Sequence, residues 1–348
     1  MAIITVITFH VSLRTKGLIS YSPGVIPPFR WIFTDFMLNP MRCGVDIFLM
    51  LSGALSLGRD WETFGFLKKR LTRITYPFVF WLVVLSGAII LISYFYPSFI
   101  PNELQTFDLM SIWNFISKSA LGDNGWFVQN WFFWMILGTY LIMPIINKWT
   151  RLASFKEVEY FLILWMITCL FTFTLNMKFP VDLRYFVGSI GFVVLGYYLR
   201  HTDRKIFNDI RYAFLIFVVS AAVMMIIGYL FSTDAKFFAL PRYSILNCIE
   251  VAGIFLIFKN FHQLNINIDF FNNPDGIFRK FIFEIAKYSY GIYLCHMFFL
   301  NILAFHLKYA MGYTSLYITV TILTLLISMF VLAGLNRIPY VNQVIGAK

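Results

Sequence analysis

The sequence predicts an all-α polytopic membrane protein, a bundle of about ten transmembrane helices with both termini cytoplasmic. Three observations predict it. Hydrophobic residues make up 59% of the 348 positions and charged residues only 13%, about half the charge that a water-facing surface of this size carries. Apolar runs long enough to cross a ~30 Å hydrocarbon core recur along the chain. The 28 Lys and Arg also concentrate in alternate loops, the bias that sets orientation in a membrane. This composition excludes a cytosolic enzyme, a secreted disulfide domain and a disordered tail. The net charge of +11 reads as loop charge on a membrane protein, not as a nucleic-acid surface.

Each span follows from its run. The N-terminus, 1–13, is short and apolar. The run 43–58 carries Asp46, and 74–96 is an unbroken apolar stretch. Then come 126–146, 158–176 and 185–199, the last bounded by Arg184 and Arg200. The run 212–231 precedes 243–258, which carries Glu250; 288–305 and 313–335 complete the series. No strand-like alternation competes, so a barrel is excluded. With the N-terminus inside, most Lys and Arg fall on inside segments, including 59–73 and 200–211. The outside segment 14–42 is broken by Pro23, Pro27 and Pro28. The other outside segment, 97–125, contains Asp108–Leu121, where Ile112, Trp113, Ile116 and Ala120 suit a helix lying in the interface. Asn265–Asp275 reads as a solvated turn. Cys43, Cys169, Cys248 and Cys295 show no C-x-x-C spacing and read as core residues. No internal repeat divides the chain, which reads as one integral membrane domain, 1–348.

Ionisable residues inside the bilayer are site candidates, because lipid tolerates them only where they face the bundle interior. His10 sits near the outer end of the first span and can titrate near neutrality; an interfacial histidine is the competing reading. Asp46 lies about one turn from the outer end of the second span. The two can meet at similar depth, where a carboxylate would orient the imidazole as a general base requires; alone, Asp46 would read as a helix cap. Ser52-Gly53 reads first as a small pair that permits close helix packing. Glu250 lies deeper and requires a partner such as Asn247, or a pocket. His296 is either a cavity group or a satisfied core residue. Arg70 and Arg73, spaced i, i+3 beside Lys68 and Lys69, present two guanidinium forks on one face, a geometry that can hold phosphate. Gripping anionic lipid headgroups is the competing reading.

Taken in order, these pieces resemble the acyltransferase-3 family of integral membrane O-acyltransferases. The residues that carry the resemblance are His10; Gly44-Val45-Asp46-Ile47-Phe48 with Ser52-Gly53; and Phe66, Arg70, Arg73, Ile74 and Pro77. Looser matches are Trp126-Phe127-Val128, Tyr140, Pro144, Gly196-Tyr197 and Ser289-Tyr290-Gly291-Ile292-Tyr293 before His296. Arg337-Ile338-Pro339 resembles the branch that acetylates surface polysaccharides. The resemblance implies acyl transfer from acyl-CoA, such as acetyl-CoA, to a hydroxyl of a cell-surface glycan or its lipid-linked precursor at the plasma membrane. It gives His10 the role of general base or transient acyl carrier, with Asp46 as its orienter. Arg70, Arg73 and Lys69 would bind the donor; apart from the resemblance, Ser52, Glu250, His296 and Trp126 are the candidates for lining a pocket. No permanent cofactor, metal or nucleic acid is implied.

The implied donor, acyl-CoA, is cytoplasmic, whereas the topology read from the spans places His10 toward the outer face. Either the pantetheine arm threads into the bundle or the acyl group is relayed. A glycan or lipid transporter is the reading from another class, although no paired halves with broken helices are evident. The family also carries an Arg eleven residues before its catalytic His, a position that falls ahead of Met1. A first helix of about 13 residues, roughly 20 Å, is short for a span. Both features lead to the expectation that the protein starts upstream of Met1.

Overall fold

The computed structural model describes residues 1–15, 38–97, 101–104, 106–177, 188–230, 240–264 and 276–347. The expected break at Pro23, Pro27 and Pro28, the first residues of the 185–199 run and the turn Asn265–Asp275 lie outside them. Eleven α-helices are described: α1 Ala2–Thr15, α2 Gly44–Ser56, α3 Thr63–Phe95, α4 Leu109–Leu121, α5 Trp131–Leu152, α6 Phe155–Thr168, α7 Ser189–His201, α8 Ile210–Leu230, α9 Ile245–Lys259, α10 Ile277–Leu307 and α11 Tyr313–Leu335. Ten of them sit on the ten expected runs, and α4 sits where the interfacial helix was expected.

Six of these helices are long and apolar enough to cross a membrane: α3, α5, α6 with the π turn Cys169–Thr174, α8, α10 and α11. Four others are only 13–15 residues: α1, α2, α7 and α9. Length alone therefore does not make them spans, and packing supplies the reason they are apolar. In one compact unit, Met1–Trp61 with Leu141–Asn267, α7 packs on α2, α6 and α9, and α9 packs on α8. The short helices are the interior ones. Gly53 and Gly196 let α2 and α7 touch backbone to backbone: a Cβ at Gly53 would lie 1.8 Å from the Val193 carbonyl oxygen, and one at Gly196 2.1 Å from that of Met50. The close-packing reading of Gly53 is thus the structural one.

The second unit is Glu62–Tyr140 with Ile268–Lys348. There α10 packs on α3 and α11, and α4 packs on α3. Helix α3 starts well before the apolar run. Glu62 caps it, accepting from the Phe64 amide at 2.8 Å and from the Gly65 amide, and Lys and Arg are good helix formers. The basic cluster 68–73 therefore rides on the same helix as the span. Asp108 caps α4 by accepting from the Ser111 amide at 2.7 Å. That bond, with the Ser111 and Thr106 hydroxyls, holds the Asp108 carboxyl below its ordinary range. Helix α4 buries Phe115 and Ser119, neither of them on the Ile112, Trp113, Ile116 and Ala120 face, and leaves Trp113 exposed.

Candidate active site

The candidate site lies within the first unit, where the chain entering α2 meets the chain entering α9. Gly44 abuts α1: a Cβ there would lie 2.5 Å from Thr5 Oγ1 and 2.7 Å from the Ala2 carbonyl oxygen. Helix α2 thus begins beside the first turns of α1, and the preceding turn, Pro40–Cys43, runs beside the later ones. Arg42 stacks over the Phe9 ring at 5.3 Å and donates to the Leu240 carbonyl. Leu240 returns the tie, its amide donating to Asn39 Oδ1 at 3.1 Å. Ser244 then caps α9 through the Asn247 amide.

These anchors bring Arg242 onto Asp46. The Asp46 carboxylate is fully buried. Its Oδ1 accepts from Arg242 Nε at 2.7 Å and from Nη2, and its Oδ2 accepts from Asn247 Nδ2 at 3.0 Å. Asn247 Nδ2 also donates to the Arg242 carbonyl at 2.6 Å, and the guanidinium lies 5.2 Å from the Tyr243 ring centre. Both carboxylate oxygens are satisfied by charge-assisted or amide donors, as a buried charge requires. Asp46 does not cap α2, because the N-cap is Cys43 and accepts no side-chain bond.

His10 is buried, and its Nδ1 lies 3.0 Å from the Val6 carbonyl oxygen. A carbonyl can only accept, so Nδ1 carries the proton, and in the neutral ring Nε2 holds the lone pair that a base needs. The pairing of His10 with Asp46 expected at a common depth is not the one that forms. Helix α2 starts at the level of Ala2–Val6, whereas the neighbour at the level of Phe9 is Arg42. Asp46 is oriented by Arg242 and Asn247.

The remaining candidates separate. Glu250 is fully buried on α9, one turn beyond Asn247, and neither of its carboxylate oxygens has a hydrogen-bond partner among the described residues. Asn247, the partner expected for it, spends its amide hydrogens on Asp46 and on the Arg242 carbonyl. Ser52 is half-buried on α2, six residues past Asp46 and about 9 Å further along the axis. The other named residues belong to the second unit. His296 is buried with Nδ1 turned onto the carbonyls of Tyr293 at 2.7 Å and Ile292 at 3.2 Å, the geometry of a satisfied core histidine. Trp126 packs near Phe298, its amide held by Asn124 Oδ1 at 3.1 Å. Arg70 lies over Phe66 at 5.5 Å and over Tyr140 at 5.7 Å. Lys69 and Arg73 are exposed and form no ion pair among the described residues. Pro77 has no amide to bond the Arg73 carbonyl one turn earlier.

Reading the sequence missed Arg42 and Arg242. A signal was present: both fall on segments assigned to the outside, where basic residues are disfavoured, and a buried carboxylate needs such a partner. No curated protein and no solved structure matches the chain. A family model described as an acyltransferase domain does match, over residues 1–333. The chain belongs to the acyltransferase 3 family, and it is a multi-pass membrane acyltransferase.

Proposed function

We propose that this acyltransferase moves an acetyl group from acetyl-CoA to a hydroxyl of a cell-surface glycan or its lipid-linked precursor, at the plasma membrane and with both termini in the cytoplasm. The observation that carries the reading is the buried His10, whose Nδ1 is committed to the Val6 carbonyl so that Nε2 is the basic nitrogen. His10 Nε2 takes the proton of the acceptor hydroxyl. The hydroxyl oxygen attacks the thioester carbonyl, the C–S bond breaks, and the departing thiolate recovers the proton as CoA thiol. Asp46 acts as a positioning residue: with Arg242 and Asn247 it ties the start of α2 to the start of α9. Arg70, Arg73 and Lys69, a basic face on α3, bind the donor phosphates; Lys69 and Arg73 are exposed.

The test uses the purified protein in nanodiscs with acetyl-CoA and membrane glycan, following CoA thiol release and acetyl incorporation together. Both should rise with the acceptor present. No CoA release with any glycan fraction, from protein that is folded and inserted, would remove the reading. The same assay separates the basic face from a topogenic role. Arg70→Lys and Arg73→Lys keep the charge but lose the planar fork, so the KM for acetyl-CoA should rise about ten- to a hundredfold, the loss of one charge-assisted bond. Unchanged KM in both variants counts against the clamp.

A further inference from the structure

A buried group that this mechanism does not use is Glu250. It is fully buried, and both its carboxylate oxygens lack a donor among the described residues. One helical turn earlier on the same face of α9, Asn247 is 2% exposed and its Oδ1 also lacks a donor. The amide cannot be turned round to repair this, because its Nδ2 already serves Asp46 Oδ2 and the Arg242 carbonyl. Three acceptor oxygens therefore share one helical face with no hydrogen to accept.

The surrounding charges deepen the imbalance. Among the described residues the charged group acting on Glu250 is Asp46, of like sign, and the Arg242 guanidinium is bonded to Asp46. Arg42 is directed onto Phe9 and the Leu240 carbonyl. Cys43, from the turn before α2, is the titratable neighbour that also senses Glu250, and Cys169 comes from the π turn packed on α9. The charged residues of α7 and α8 lie at the ends of those helices: Arg200, bonded to the Ala54 carbonyl, His201, and Arg211, paired with Asp209. Tyr198 of α7 is bonded to Glu159. None of these groups donates to Glu250.

A bare carboxylate cannot persist in such surroundings. Among the described residues no donor reaches it, so the group that balances it is a cation. A divalent ion would leave a net positive charge on this single unpaired carboxylate, whereas a monovalent ion neutralises it. The geometry points to Glu250 and Asn247 as a buried site for a monovalent cation, held as Na⁺ or as a proton on the carboxylate. A proton on Glu250 would give the carboxyl an O–H to donate, and Asn247 Oδ1 is an acceptor within the same turn. Occupancy would set the charge beside Asp46 and hence the grip on Arg242. This inference is independent of the acyl donor and acceptor.

The experiment labels the intact protein in nanodiscs with dicyclohexylcarbodiimide, an apolar reagent that attacks protonated carboxyls shielded from water, and maps the adduct by mass spectrometry. One series replaces choline chloride with NaCl at constant ionic strength; the other runs from acid to alkaline pH. An adduct at Glu250 that Na⁺ suppresses identifies a Na⁺ site. An adduct that fades only with rising pH identifies a proton site. Glu250 unmodified at every pH in choline overturns the proposal. Since labelling is read on the wild-type chain, it decides the matter even where Glu250→Gln fails to fold. A folded Glu250→Gln should lose the melting response to Na⁺ or pH that accompanies the adduct.

Discussion

Replacing His10 with alanine lowers acyl transfer by about 10²–10⁴-fold, the usual contribution of a general base, while the protein remains folded and inserted. His10 lies on a helix whose backbone bonds do not depend on the ring, and its one described side-chain bond is to the carbonyl of its own previous turn. Loss of the ring therefore removes a proton acceptor and a bond local to α1. His10→Gln is the discriminating variant. Glutamine can donate to the Val6 carbonyl as the imidazole does, but it has no titrating nitrogen, so it should be as inactive as alanine. Initial rates with acetyl-CoA, normalised to folded protein by thermal melting, check both. Full activity in His10→Gln would leave His10 a structural residue.

Breaking the Asp46–Arg242 pair should give the largest change in stability. Removing one partner of a buried, hydrogen-bonded ion pair typically costs about 3–5 kcal/mol, because the survivor is left charged and unpaired. Asp46→Leu strands a guanidinium that is itself only 12% exposed and leaves Asn247 without its carboxylate acceptor. Arg242→Met strands the carboxylate, which is worse placed because it is fully buried. The double variant Asp46→Leu with Arg242→Met should recover most of the loss, since apolar replacements of such pairs are often neutral. Denaturant titration of all four proteins gives the coupling as a double-mutant cycle. Additive losses would show that the pair is not a unit. Recovered stability without recovered turnover would place the pair in positioning the site.

Much of the architecture is determined by the sequence alone, and the reason is the solvent. In lipid every backbone group must be satisfied within its own segment, so an apolar run of sufficient length is a helix before anything else is known. The α3, α8, α10 and α11 runs are legible on that ground. Their ends are not: the start of α3 at Thr63 depends on the Glu62 cap and on basic residues that favour helix, neither of which a hydropathy run registers. The short helices α2, α7 and α9 are apolar because they face other helices, and only contacts such as Gly53 with Val193 distinguish that from facing lipid.

The candidate site divides the same way. His10, Asp46 and Glu250 stand out singly, because charge and polarity are costly in an apolar run. The motif order around His10, Asp46, Arg70 and Arg73 was enough to suggest the family, since it needs only spacing along the chain. Tertiary structure decided the pairing. Asp46 binds Arg242, 196 residues away, and Glu250 is left without the amide hydrogens that Asn247 gives elsewhere. Hydrogen bonds and ion pairs select partners by distances of about 3 Å, and sequence separation carries no such distance once the chain has folded back on itself.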